Sequence, residues 1–166
     1  PGADDPLAAA LSPGAPLGVL GIELPTRRRN RLNGTVSALD AAGFTIAVQQ
    51  SFGNCPRYIQ TRTPTAVPTA ARPAPERLAR LDANAWRLIA QADTFFIATA
   101  HPAAGHGTAR DEGVDVSHRG GAPGFVLPLG EGALAVPDFD GNRFFNTLGN
   151  LVLQPAAGLL FIDFER

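Results

Sequence analysis

The sequence predicts a mainly β fold: an antiparallel β-barrel with a few helices. Two observations carry that expectation. Residues 44–49 alternate apolar and polar side chains directly after a turn at Asp40-Ala41-Ala42-Gly43, the pattern of a hairpin with one face on a core. Farther along, short runs rich in β-forming residues recur between Gly and Pro turns, while helical spacing is confined to a few stretches.

Taken in order, residues 1–16 are rich in Pro, Gly and Ala, with a short helix expected over 7–11. Residues 19–24, Val-Leu-Gly-Ile-Glu-Leu, read as a buried strand that Pro25-Thr26 breaks. Residues 31–39 and 44–49 form the two strands of the hairpin, with Phe44, Ile46 and Val48 on its apolar side. Residues 76–81 and 83–92 read as helix, carrying Leu78, Leu81, Trp86, Leu88 and Ile89. Thr94–Ala100 is a strand dense in β-formers, and a flexible loop is expected over 101–113. Shorter strands are expected at 114–118, 125–129 and 133–137. A helix follows over 142–153, with Phe144, Phe145, Leu148 and Val152 at helical spacing, and Pro155 ends it. A final buried strand is expected over 158–164.

The stretch 61–75 holds four prolines among Thr and Ala, so it reads as a semi-rigid linker. It divides the chain into a β-hairpin segment, 1–60, and a helix-plus-strands segment, 76–166. Each segment reads as incomplete. A lone hairpin is marginal in water, and an unfinished sheet leaves open edges. The hairpin is therefore expected to complete the sheet of the second segment, within the chain or by exchange between two copies.

Composition narrows the function. The formal net charge is −1 over 166 residues, so no basic field favours nucleic acid. Charged residues are only 17%, which suits a chain that buries part of its surface against a second copy or a larger parent chain. All the basic residues other than histidine are arginine. The single cysteine, Cys55, excludes an internal disulfide framework and fits a reducing, cytoplasmic setting. Cys55 itself reads as a buried structural residue. No apolar run reaches membrane-spanning length, and no charged-then-apolar leader is read. The absence of methionine predicts a processed chain or a piece of a longer one. His101, His106 and His118 lack metal-ligand spacing, so no metal is expected.

Two motifs bear on chemistry. In Asp115-Val116-Ser117-His118-Arg119-Gly120-Gly121 a strand runs into paired glycines. Glycines let backbone N–H groups approach an anion, and Ser, His and Arg can all donate to phosphate; a plain strand–turn–strand, with glycines serving only the turn, is the reading that composition alone favours. In Asp138-Phe139-Asp140-Gly141-Asn142-Arg143 an acidic turn leads into a helix. Helix N-termini bind anions, and a cation such as Arg143 in the first turn is unfavourable unless an anion offsets it; Asp140 as a plain cap with Arg143 in solvent is the other reading. The basic run Arg27-Arg28-Arg29-Asn30-Arg31 reads as a solvated face or as the lining of a phosphate groove.

On these residues the chain resembles the predicted flavin-nucleotide-binding proteins of the pyridoxamine 5′-phosphate oxidase-like superfamily. The likeness spans about residues 76–166 and rests on three stretches in order: 95–100, 115–121, and 138–151 through to 158–163. Residues 27–33 and 51–60 resemble the closing half of a preceding barrel repeat. The resemblance implies an FMN-binding split β-barrel, a homodimer with FMN at its interface, and oxidoreductase chemistry with a small-molecule electron donor or acceptor. It implies cofactor contacts from Ser117, His118, Arg119, Gly120, Asn142, Arg143, Asn146, Thr147 and Asn150. It assigns no catalytic residue. The chain stops at Arg166, before the strands that complete the second barrel, and lacks the Arg-x-His motif of true pyridoxamine phosphate oxidases, so vitamin B6 oxidation is not implied. Two other readings stand beside this one: a non-catalytic flavin- or haem-binding module, and a structural dimerisation domain of a larger reductase.

Overall fold

The structure, a computed structural model, describes residues 5–53, 55–66, 75–107, 109, 111–130, 132–141 and 143–164. It is mainly β, with strands β1 (Pro16–Glu23), β2 (Arg28–Leu39), β3 (Phe44–Gly53), β4 (Thr94–Ala100), β5 (Val114–Gly120), β6 (Leu127–Pro128), β7 (Leu134–Ala135) and β8 (Ala157–Phe161). The helices are α1 (Pro6–Ala10), α2 (Ala83–Gln91) and α3 (Asn146–Leu153).

The first sheet is an antiparallel meander, β1-β2-β3. The hairpin turn forms where the sequence predicts it, with the Asp40 carboxylate accepting from the backbone N–H groups of Ala42 and Gly43. Two register shifts, at Asn33/Gly34 and Val36/Ala38, interrupt the β2–β3 ladder. Gly34 is required here, because a Cβ would collide with the Ala47 carbonyl. Opposite that bare position Val48 finds no cover and is largely exposed.

The second sheet has the order β5-β4-β8, again antiparallel, and β6 and β7 make a small separate ribbon. The core lies under this sheet. Ile89 of α2, Phe95 of β4 and Val126 are buried, with Trp86, Ile97, Phe125, Leu134 and Phe161 around them. Phe95 stacks on Phe161 and Phe125, at 5.2 and 5.8 Å between ring centroids. The Asp82 carboxylate caps α2 by accepting from Ala85 N–H.

The two sheets meet through side chains. Gly18 of β1 lies against Val114 and Val116 of β5, and Arg31 of β2 is ion-paired with Asp115 of β5. Within the chain β3 pairs with β2 alone, so the expected ladder between the hairpin and the second sheet is not made among the described residues. The segment after β3 also ties the halves together. Ile59 is buried, Gln60 donates to the Gly121 carbonyl, and Arg62 pairs with Asp93 at 2.7 Å while lying over the Phe164 ring. Much of the linker expected at 61–75 lies outside the described residues.

Three expectations need correction. Residues 76–81 are not helical. Six residues do not offset the cost of helix nucleation without packing, and Leu78 and Leu81 are exposed. The helix expected from 142 begins at Asn146, because Arg143 and Phe145 hold left-handed backbone, at φ 58° and 54°. The runs read as buried strands at 19–24 and 158–164 form edge strands: β1 has no fully buried residue, and four of the five residues of β8 are exposed. Among the described residues no helix is long and apolar enough to cross a membrane.

Candidate functional site

The ends of β2 and β5, the segment around Tyr58, the acidic turn at 137–141 and the first turn of α3 surround one cleft of about 220 Å³. Three of its lining residues, Arg31, Ser117 and Thr147, converge on a buried carboxylate. Asp115 is paired with Arg31, and both are almost wholly buried. Ser117 and Thr147 also donate to Asp115 Oδ2, at 2.9 and 2.6 Å. Asp115 and Ser117 share a strand face by their two-residue spacing, and Thr147 sits on the first turn of α3. One carboxylate therefore fixes β2, β5 and α3 relative to one another. Burial pushes the Arg31 guanidinium below its ordinary range, and Asp115 opposes that shift. Its guanidinium also lies 5.1 Å from the Phe52 ring centroid.

The walls are cationic. Arg29, Arg31, Arg57, Arg119 and Arg143 all border the cleft. Arg119 pairs with Asp138 at 3.0 Å, Arg57 with Asp140 at 3.1 Å, and Arg143 approaches Asp140 at 4.0 Å. Tyr58 donates to the Asp140 carbonyl and stacks on Phe139, with ring centroids 5.2 Å apart. These contacts strap the acidic turn across one side. At the other side α3 opens without a side-chain cap or an acidic first turn, and its first residues, Asn146, Thr147 and Leu148, border the cleft. Backbone strain collects here as well. Tyr58, Arg143 and Phe145 line the cleft with positive φ, conformations that persist in non-glycine residues where surrounding structure enforces them. Gly120 has to be glycine, because a Cβ there would collide with the Tyr58 carbonyl.

His118 borders the same cleft and is only 6% exposed. Its ring meets Phe96 edge-on, and its Nε2 is shielded from water with no hydrogen-bond partner. Burial, and then the nearby Arg29, lower its pKa from 6.5 to about 4, so the imidazole is neutral at physiological pH.

No protein-family model, curated protein or solved structure matches this chain.

Of the site residues expected from the sequence, Ser117, His118, Arg119, Gly120, Arg143, Asn146 and Thr147 border the cleft. Asn142 lies outside the described residues. Asn150 does not border it; its amide donates to Thr99 Oγ1 at 3.2 Å and to the Gly113 carbonyl, which pins α3 to β4 and to the start of β5. Ser117 and Thr147 spend their hydroxyls on Asp115. Cys55, expected in the core, is half-buried and borders the cleft. Sequence reasoning missed Asp115 as the hub. A signal was present, since Asp115 and Ser117 alternate on β5 while Arg29 and Arg31 alternate on β2, two polar faces that invite pairing. Among the described residues no group of His, Cys, Asp and Glu is placed to hold a metal ion.

Proposed function

We propose that this chain is an FMN-binding oxidoreductase domain of the pyridoxamine 5′-phosphate oxidase-like kind, built on a split β-barrel. The observation that carries the reading is the meeting of the Ser117–Gly120 stretch with the uncapped first turn of α3 in one arginine-lined cleft. A phosphate group suits such a place. Free helix N–H groups, the helix dipole and guanidinium forks all favour a tetrahedral anion. Arg143 and Asn146 would hold the phosphate end from the helix side, and Arg119 from the strand side. The aromatic edge of Tyr58, Phe139, Phe144 and Phe145 would pack against an isoalloxazine ring, which supplies hydride and electron chemistry once bound. The protein's part is anchoring, orientation and exclusion of water, and no side chain is assigned as acid or base.

A second copy fits the same reading. The cleft of about 220 Å³ is smaller than the roughly 300–1,000 Å³ of pockets that enclose a whole small ligand. Phe144 and Phe145 at its mouth are 61% and 59% exposed. A homodimer would close the site and cover these rings, with a small molecule as electron donor or acceptor. A non-catalytic haem-binding module is the second reading, favoured by one observation: a neutral imidazole with an unpartnered Nε2 is a haem-ligand type.

The visible spectrum of the purified protein separates these readings. The expected trace is that of an oxidised flavin, as purified or after addition of FMN. A Soret band that depends on His118 would replace the flavin reading with the haem one.

A further inference from the structure

Cys55 is the one cysteine in the sequence, and it lies outside the apolar core, half-buried at the border of the cleft. The local chain holds it firmly. β3 ends at Gly53, opposite Asn30 of β2, so Cys55 comes two residues later beside the start of β2, where Arg29 stands. The backbone then turns at once. Ile59 N–H donates to the Pro56 carbonyl at 3.4 Å, Tyr58 holds φ 65°, and Ile59 is buried. Arg57 and Tyr58 are both strapped to Asp140. The thiol is therefore carried on a braced segment.

Two further observations point to an occupant beside it. Arg29 and Arg57 lie near enough for the Cys55 sulfur to act electrostatically on both guanidiniums. His118, on which Arg29 acts in turn, borders the same cleft while only 6% exposed, and its Nε2 lacks a hydrogen-bond partner among the described residues. Buried polar atoms of this kind are seldom left without a ligand or a water.

We propose that Cys55 is a site of reversible thiol–disulfide exchange with small disulfides that carry carboxylates. The thiolate form of Cys55 attacks one sulfur of the incoming disulfide. A new S–S bond forms to Cys55 as the original S–S bond breaks. The electron pair leaves on the other sulfur as a thiolate, and the proton of the Cys55 thiol goes to solvent. Cys55 is oxidised and the departing half of the reagent is reduced, so no further oxidant enters. Guanidiniums beside the reacting sulfur attract an anionic disulfide, pair with its carboxylates, and offset the negative charge as it passes to the leaving sulfur. The chain has no second cysteine to resolve the mixed disulfide, so the adduct persists until an outside thiol reverses the exchange. None of these steps requires a bound flavin.

The test compares two coloured reagents at neutral pH: dithiobis(nitrobenzoate), which carries carboxylates, and neutral dithiodipyridine. Mercaptoethanol serves as the free thiol. The ratio of the anionic to the neutral rate is expected to exceed that of mercaptoethanol by at least about tenfold, the low end of what a focused field gives, and to fall at high salt. Arg29→Gln should lower the ratio by about threefold or more. Arg57→Gln, an exposed change with little bearing on folding, should act in the same direction and keeps the test decisive where Arg29→Gln fails to fold. Incubation with glutathione disulfide should give one adduct per chain by mass spectrometry, removed by dithiothreitol. The proposal is overturned if the wild-type ratio matches that of the free thiol, if the folded variants keep the wild-type ratio, or if no glutathione adduct forms.

Discussion

The cleft and the exposed parts of α3 and β8 treat their residues in opposite ways. Beside the cleft one charge pair is buried: Arg31 is 4% exposed, and its partner Asp115 is held by three side chains from three elements. On α3 and β8, apolar side chains stand in the open. Val152 is 85% exposed, and Leu159 and Leu160 on β8 are 44% and 55% exposed. In each region the arrangement is costly for the isolated chain, since buried charge needs complete pairing and uncovered apolar surface and a bare strand edge invite association. The contrast teaches that the chain's stability and its specificity are built in different places. The polar hub fixes the geometry around the cleft, while apolar side chains of α3 and β8 are left uncovered.

The largest expected effect attacks the hub. Asp115→Ala leaves the Arg31 cation buried and unpaired, and should cost about 3–5 kcal/mol by chemical denaturation. The double substitution Asp115→Ala with Arg31→Leu removes the stranded charge and should recover a good part of that loss. If the single substitution costs under about 1 kcal/mol, the pair behaves as a surface salt bridge and the comparison collapses.

Acid should weaken the same region next. His118 has a folded-state pKa of about 4 against an ordinary 6.5, so between these values the unfolded chain takes up a proton that the folded chain refuses. The neutral-pH stability is complete above about pH 6.5 and falls as pH drops toward 4, by up to about 3 kcal/mol. Urea melts across that window should show the slope in wild-type and a flatter profile in His118→Gln. Identical slopes would mean that other groups set the acid response.

At the ligand, Arg119→Ala is expected to weaken FMN binding by about 1.5–3 kcal/mol, whereas Arg80→Ala, on the non-helical segment before α2, should leave it unchanged. Equal affinities in the two variants would take Arg119 out of the site.

The smallest effects belong to the exposed parts of α3 and β8. Val152→Ser should move monomer stability by less than about 0.5 kcal/mol, because so little of the side chain is packed. Leu160→Arg should lower the molar mass seen by light scattering from dimer to monomer at micromolar concentration with FMN present. A wild-type monomer under those conditions would remove the proposed homodimer.

How far the sequence could be read follows the same divide. β4 falls on the predicted residues, Thr94–Ala100, because dense β-formers flanked by breakers are a local signal. The Asp40 turn and α2 are local in the same sense. The start of α3 was not legible, since nothing in the identity of Arg143 or Phe145 announces a left-handed backbone. Nor was the burial of Arg31, which depends on a carboxylate 84 residues away and looks from its neighbours like part of a solvated basic run. The apolar runs of β1 and β8 were read as buried because such runs are usually covered. An apolar sequence states a preference for cover and says nothing about where in the chain that cover is found. The candidate site was legible where its residues share a stretch, Ser117–Gly120, and half legible in the first segment, where the basic run holding Arg29 reads as a solvated face or a groove lining and Tyr58 carries no signal.

The central claim, that the arginine-lined cleft holds FMN, is tested most directly by titrating FMN with the purified protein and following flavin fluorescence. The account predicts quenching that saturates at one FMN per chain, with Arg29→Gln and Arg119→Ala shifting the midpoint to higher protein concentration. Unchanged fluorescence in the presence of folded wild-type protein, at concentrations up to about 1 mM, the weak end of the affinity scale, would contradict it.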